Sequence, residues 1–242
     1  EVVAMQSVDG KVSWRFTARG RVDTPPTIHS GLALFGCHAG YVYALHVDTG
    51  EMVWEFQAAP VDERIVAYGQ VESPWPVPGA VLVIDATVYF VAGRQQLADG
   101  GVLVFALDAL TGEKRWVHRL DHIPQKGFYE NSGLEFDPID ILHQEGDGIA
   151  MSRWIFSPDG KTVSVDKWNA FAKLDTGDGA VWVPRGSWNY GARHQNRFPG
   201  EAPRRPLVVF RDGEVYGQLN ASTDVFRRDF DADAVKKFNG KW

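Results

Sequence analysis

The sequence predicts an all-β chain, a β-propeller of four-stranded antiparallel blades, and three observations predict it. The first is a repeated segment: AMQSVDGKVSW at Ala4–Trp14, ALHVDTGEMVW at Ala44–Trp54 and ALDALTGEKRW at Ala106–Trp116. Each copy carries an Ala, a Gly six residues on and a Trp four residues further. The second is the period. Trp14 and Trp54 lie 40 residues apart, and Trp54 and Trp116 lie 62 apart, one such period plus an insertion. A period of about 40 residues assembled from short strands is the signature of a propeller blade. The third is another hairpin pattern that recurs between the copies. It reads PTIHSGLALFG from Pro26, AVLVIDATVYFVAG from Ala80, IDILHQEGDGIAMS from Ile139 and PLVVFRDGEVYGQL from Pro206.

Taken in order, residues 1–16 read as half a blade, an apolar run turned at Asp9-Gly10 and returning through Trp14. A blade near 22–58 joins the Pro26 hairpin to the second Trp copy, and a blade near 79–120 joins the Ala80 hairpin to the third. The strands are β-branched and aromatic (Tyr41-Val42-Tyr43-Ala44-Leu45; Val102-Leu103-Val104-Phe105-Ala106-Leu107), and Asp-Gly or Thr-Gly reverses them. Glycine takes a positive φ where other residues pay about 1–2 kcal/mol. Side chains alternate along a strand, so a constant distance from turn to Trp puts each indole on an equivalent blade face. Trp14, Trp54 and Trp116 are therefore expected to be largely buried on the last strand of their blades, with Gly10, Gly50 and Gly112 in the preceding turns. A third full blade is expected near 139–185. It holds the hairpin WIFSPDGKTVSV and a damaged copy, FAKLDTGDGAVW, whose Trp182 falls five residues past Gly177, so that hairpin is expected to carry a bulge or to turn its Trp to the other face. A half blade near 206–220 and a tail over 221–242 complete the chain.

Composition bounds the function. Apolar residues make up 44% of the 242, which suits a packed core, and blade packing absorbs several of the nine tryptophans. A formal charge of −6 supplies no basic field, so nucleic acid is excluded as a general partner, and short pairs such as Arg204-Arg205 read as solvated surface. The one cysteine, Cys37, permits no intrachain disulfide and reads as a small core residue. No apolar run approaches the 18 residues or so of a membrane span. The chain opens inside a strand-like run without Met, so it reads as an internal piece of a seven- or eight-bladed ring that the remainder of the same chain completes.

The pattern Ala-x-Asp-x-x-Thr-Gly-x-x-x-Trp, matched in full by Ala106, Asp108, Thr111, Gly112 and Trp116, resembles the docking motif of quinoprotein-type (PQQ-like) β-propellers. The second copy departs with His46 in the Asp place; the first has Gln6 there and Asp9 in the Thr place. The run SPWPVPGAVLVIDATVYFVAG also resembles uncharacterised exported PQQ-like repeat proteins. The resemblance implies a periplasmic or otherwise extracytoplasmic location and leaves two activities open. Some members are dehydrogenases holding pyrroloquinoline quinone and a metal such as calcium; others are cofactor-free scaffolds, among them a lipoprotein that assists outer-membrane protein assembly. The adjacent cysteines of many quinone-dependent alcohol dehydrogenases are absent, and no residue falls on the catalytic Asp or the metal ligands. No cofactor is therefore expected, with pyrroloquinoline quinone and calcium as the alternative.

Other chemistry finds little footing. DFDADAVKKFNG, Asp229–Gly240, starts like a calcium loop, but Ala234 stands where Gly is needed and Gly240 where a bidentate Glu is needed. His29, His38 and His46 lack zinc-type spacing and read as separate half-buried histidines. No Gly-x-Ser-x-Gly is present. What remains are three insertions, residues 60–78, 121–138 and 186–206, longer than blade turns require. Long loops on a rigid scaffold either carry recognition or cover a blade edge. Trp188, Tyr190, Arg193, His194 and Arg197 crowd into the third, a composition suited to a binding hot spot. The expectation is a non-enzymatic propeller that binds a protein, peptide or carbohydrate through rim loops, with a quinone-dependent dehydrogenase as the alternative.

Overall fold

The computed structural model describes residues 1–67, 69–122, 142–145, 147–151, 154–165, 171–175, 180–184, 209–211, 214–218 and 225–229. The chain divides into two compact units. The first opens with a two-stranded sheet, β1 (Val2–Met5) and β2 (Val12–Phe16). Two four-stranded antiparallel sheets follow, each meandering in chain order. One holds β3 (Thr27–His29), β4 (Leu32–Cys37), β5 (Tyr41–His46) and β6 (Met52–Gln57). Between the two sheets stands a small hairpin, β7 (Ile65–Ala67) and β8 (Gln70–Glu72). The second sheet holds β9 (Leu82–Ile84), β10 (Thr87–Ala92), β11 (Val102–Asp108) and β12 (Lys114–Leu120).

The middle strands are buried on both faces, which is why LALFGC, YVYAL and TVYFVA read as continuous apolar runs rather than alternating ones. One face of the β3–β6 sheet sends Phe35, Cys37, Tyr41, Tyr43 and Leu45 into a cluster with Val2, Trp14 and Phe16 of the first hairpin. The other face sends Leu32, Leu34, Val42, Ala44 and Trp54 against Val88, Phe90, Leu103, Phe105 and Leu107 of the β9–β12 sheet. Aromatic pairs hold both contacts: Phe16 meets Tyr43 edge-on at 5.2 Å, and Phe56 meets Phe105 edge-on at 5.4 Å. Face-to-face stacking of antiparallel blades is the propeller arrangement the repeat period predicts.

In the second unit β13 (His143–Glu145), β14 (Gly148–Met151), β15 (Trp154–Phe156) and β16 (Val163–Val165) form a third four-stranded sheet. β17 (Phe171–Asp175) and β18 (Ala180–Pro184) form a separate two-stranded sheet, and β19 (Val209–Arg211), β20 (Glu214–Gln218) and β21 (Val225–Asp229) a three-stranded one. These boundaries differ from the blade drawn near 139–185. The outer hairpin of the third sheet is WIFSPDGKTVSV, whose turn closes by Ser157 N to Thr162 O at 2.9 Å, and the damaged Trp copy stands outside that sheet. A Ser-Pro-Asp-Gly turn closes a hairpin without a tryptophan four residues past its glycine to mark it. The C-terminal half blade likewise gains a strand, β21, from residues assigned to a tail.

Candidate functional site

The three register copies fold to one turn. The amide of Gly10, Gly50 or Gly112 donates to the carbonyl of Gln6, His46 or Asp108 at 2.8–2.9 Å, and each glycine takes a φ between 71° and 74°. The residue before each glycine explains the Asp or Thr there: Asp9 Oδ1, Thr49 Oγ1 and Thr111 Oγ1 each accept the amide two residues on, at 3.0–3.2 Å. Each hairpin then shifts register by one residue, so that Ser13, Val53 or Arg115 is the extra residue and the Trp stands opposite the motif alanine: Ala4 to Trp14, Ala44 to Trp54, Ala106 to Trp116. The bulge expected for Trp182 is thus a property of the register copies. β17–β18 pairs without a shift and sets Trp182 opposite Lys173. The motif's own four-residue offset requires the bulge, because a regular ladder from the turn would bring Trp opposite the next residue along.

What the offset serves is a contact between successive copies. The Trp14 indole donates to Val47 O at 2.8 Å, and the Trp54 indole to Ala109 O at 3.1 Å. Both acceptors lie three residues before the glycine of the following copy. A Cβ on Gly50 would stand 2.6 Å from the Trp14 ring, and one on Gly112 2.8 Å from the Trp54 ring. Trp54 is 8% exposed, whereas Trp14 and Trp116 are half-buried, Trp116 against Tyr89 at 5.8 Å and His118 at 5.2 Å. Asp108 adds a feature the other copies lack. Its Oδ1 accepts the Leu110 and Thr111 amides and its Oδ2 the Arg115 guanidinium at 2.8 Å. The Arg115 hydrogen bond, with those amides, pulls its carboxyl down to about 2.

The insertion over 60–78 does two things. Its second half lies as a strap over the β4–β5 turn: Ser73 N bonds His38 O at 2.9 Å, Val77 N bonds Cys37 O at 3.0 Å, and Glu72, Ser73 and Val77 are buried. Val77 packs so close to Gly36 that a Cβ there would fall 2.2 Å from its Cγ1. The first half is exposed. Val66 and Val71 face each other across β7–β8 at 78% and 67% exposure.

Under the strap sits a polar cluster. Both ring nitrogens of His38 face carboxylates, Nδ1 that of Glu72 and Nε2 that of Asp23 at 2.9 Å. Glu72 holds Arg94 of the β10–β11 loop at 2.6 Å, and Arg94 also reaches Ser73 O. Arg21 pairs with Asp23 at 2.8 Å. Burial pushes the Glu72 carboxyl up, but the hydrogen bonds from His38 and Arg94 outweigh it and hold it below the usual carboxylate range.

Of the residues singled out by sequence, the structure joins Trp14 to the turn of Gly50 and Trp54 to the turn of Gly112. Trp188, Tyr190, Arg193, His194 and Arg197 lie outside the described residues, as do Asp231 and Asp233. His29 is half-buried and His46 exposed, each apart from the buried His38 cluster. Among the described residues no three His, Cys, Asp or Glu side chains are grouped so as to hold a metal ion. Sequence reasoning missed Asp23, Glu72 and Arg94, which come from three separate connections. The one available signal was an acid followed by Ser-Pro-Trp-Pro, an extended, turn-poor segment.

Comparison with known proteins adds the following. A family model described as outer membrane protein assembly factor BamB matches residues 1–122, the span of the three register copies. Outer membrane protein assembly factor BamB of Burkholderia pseudomallei (strain K96243) is 34% identical over 110 residues, 45% of this chain and 24% of that protein. The chain thus spans about a quarter of the length of the curated relative it matches. Among solved structures, quinohemoprotein alcohol dehydrogenase from Comamonas testosteroni is 15% identical over 94% of this chain and 40% of that one, with a TM-score of 0.49. A europium-containing methanol dehydrogenase is 14% identical over 94% and 47%, at 0.48. BamB from Moraxella catarrhalis is 15% identical over 92% and 62%, at 0.34.

Proposed function

The chain belongs to the β-propeller family described as outer membrane protein assembly factor BamB, and from that premise we propose that it is a non-enzymatic scaffold, working outside the cytoplasm, that binds a protein partner through the loops at its blade ends. The observation that carries this reading is the family match over 1–122, the part of the chain in which Trp14 and Trp54 each dock on the turn of the following copy. Such docking makes a rigid frame, and a rigid frame is what a loop needs in order to present a fixed surface. The β7–β8 hairpin supports the same reading. It stands out from a strap that is itself buried, and it presents the paired Val66 and Val71 to solvent. The loop 186–206, with Trp188, Tyr190, Arg193, His194 and Arg197, is the second surface in this proposal.

The test is cross-linking in the cell envelope with the full-length protein. Val66→Glu with Val71→Glu, or deletion of 186–206, should reduce recovery of the cross-linked partner while leaving the folded protein's abundance unchanged. Undiminished recovery from both variants removes these surfaces from the reading. Quinone-dependent dye reduction after addition of pyrroloquinoline quinone and calcium would overturn the non-enzymatic reading itself.

A further inference from the structure

The described residues hold four Asp-Gly pairs, beginning at Asp9, Asp99, Asp147 and Asp159. Such a pair carries its own reaction. Glycine has no Cβ to screen the amide nitrogen, and the aspartate carboxyl can close a five-membered ring onto it. The fold ties down three of the four. Gly10 donates its amide to Gln6 O, and Gly160 donates to Ser157 O, each at 2.9 Å. The Asp9 carboxylate accepts the Lys11 amide at 3.0 Å and pairs with the Lys11 ammonium at 2.7 Å. The Asp159 carboxylate accepts the Ser157 hydroxyl at 2.7 Å and the Lys161 amide at 3.0 Å. Gly148 opens β14 opposite Glu145, in the pair that closes its hairpin, where antiparallel partners exchange backbone hydrogen bonds. Asp99-Gly100 differs. It lies exposed in the loop between β10 and β11. Among the described residues, nothing bonds the Asp99 carboxylate or the Gly100 amide. The atoms on either side are held: Gly101 N bonds Ala98 O at 2.9 Å, and Arg119 Nη1 donates to Gly100 O at 2.7 Å. Asp99 has a φ of 54°, a left-handed conformation that an aspartate holds at a cost, and turning out of it returns that cost.

From this contrast we infer that Asp99-Gly100 is a site of spontaneous backbone modification, where aspartate converts to isoaspartate through a succinimide. The Gly100 nitrogen attacks the side-chain carboxyl carbon of Asp99. A C–N bond forms and closes the ring, and the amide proton leaves with the carboxyl hydroxyl as water. Water then adds back at one of the two ring carbonyls. Opening at the side-chain carbonyl restores aspartate. Opening at the backbone carbonyl breaks the old peptide bond and leaves isoaspartate, with the main chain running through Cβ and Cγ. The sequence of steps releases one water, takes one back and needs no other reactant. The product has the mass of the starting chain, but its main chain is one carbon longer. That carbon falls inside the turn closed by Gly101 N and Ala98 O. The same loop brings Arg94 to Glu72 at 2.6 Å, so the conversion loosens the loop's hold on the strap.

The experiment is peptide mapping by mass spectrometry of the full chain, held folded for several weeks at neutral pH and physiological temperature, with an isoaspartyl methyltransferase as the probe of the product. Isoaspartate at position 99 should exceed that at 9 or 159 about tenfold or more, because hydrogen bonds must open before those two pairs can react. In urea, where every pair is free, the advantage should vanish. Asp99→Asn releases ammonia in place of water and should form the same succinimide faster at the same position. Equal yields at the three positions in the folded chain overturn the inference. So does an Asp99→Asn chain that stays intact, and so does an advantage that persists in urea, which would belong to the local sequence and not to the fold.

Discussion

Gly10 and Gly112 occupy the same turn with the same backbone, and they meet different surroundings. Both hold φ near 70°, and both donate to the carbonyl four residues back. A Cβ on Gly112 would strike the Trp54 indole at 2.8 Å, whereas a Cβ on Gly10 would meet no atom within 4 Å. The motif glycine therefore has two separable duties, a left-handed turn and clearance for an indole from the copy before. Gly50 and Gly112 perform both; Gly10 performs only the first among the described residues.

The strongest way to break this comparison is to remove the indole. Trp54→Ala should cost about 3–5 kcal/mol, read as a lowered urea midpoint, because Trp54 lies in the cluster between the two sheets and its indole is bonded to Ala109 O. A loss under about 1 kcal/mol would mean that the docks do not hold the blades together. Next come the glycines. Gly112→Ala adds a steric clash to the left-handed backbone and should cost about 2–4 kcal/mol; Gly10→Ala carries only the backbone cost of about 1–2 kcal/mol. Equal losses at the two positions would erase the second duty.

The smallest effect concerns Asp108, which braces the third turn where Gln6 and His46 stand in the others. Its carboxyl lies at about 2, below its ordinary value of 3.8. Its contribution is therefore complete above about 3.8 and disappears as pH falls through about 2. Solvent screening at this half-exposed site limits it to about 1 kcal/mol. The midpoint gap between the wild type and Asp108→Asn should close between about pH 4 and about pH 2, and a gap that persists at the acid end would assign the brace to shape rather than charge.

The sequence made the turns and strands legible because their causes are local. Glycine must hold the positive φ, Asp or Thr must hold the next amide but one, and apolar runs must fill both faces of a middle strand. It did not show which turn receives which indole. Trp14 and Gly50 are 36 residues apart, and nothing in either segment names the other. Spacing counted from the turn does not say which hairpin carries a bulge until the partner strand is aligned: Ala44 opposite Trp54 puts it in the register copies, and β17–β18 pairs without one, so of the two alternatives for Trp182 the bulge is the one that fails. The third sheet ends before Trp182, the residue that marks its end in the sequence, because Trp154–Val165 closes that sheet with a generic turn. The His38 cluster is invisible for a different reason: Asp23, Glu72 and Arg94 each look like solvated polar residues and His38 like a separate half-buried one, and only the strap's course brings them together.

The strap also shows how such a chain can lengthen. Trp14 reaches Gly50 across 36 residues, and Trp54 reaches Gly112 across 58. Closing the longer span costs only about 0.4 kcal/mol more chain entropy, because that cost grows with the logarithm of length. One indole contact outweighs it severalfold. Evolution can therefore splice new segments between one tryptophan and the next glycine at almost no thermodynamic penalty, provided that both anchor points survive. Variation in this lineage should accumulate there, as new surfaces hung on an unchanged frame.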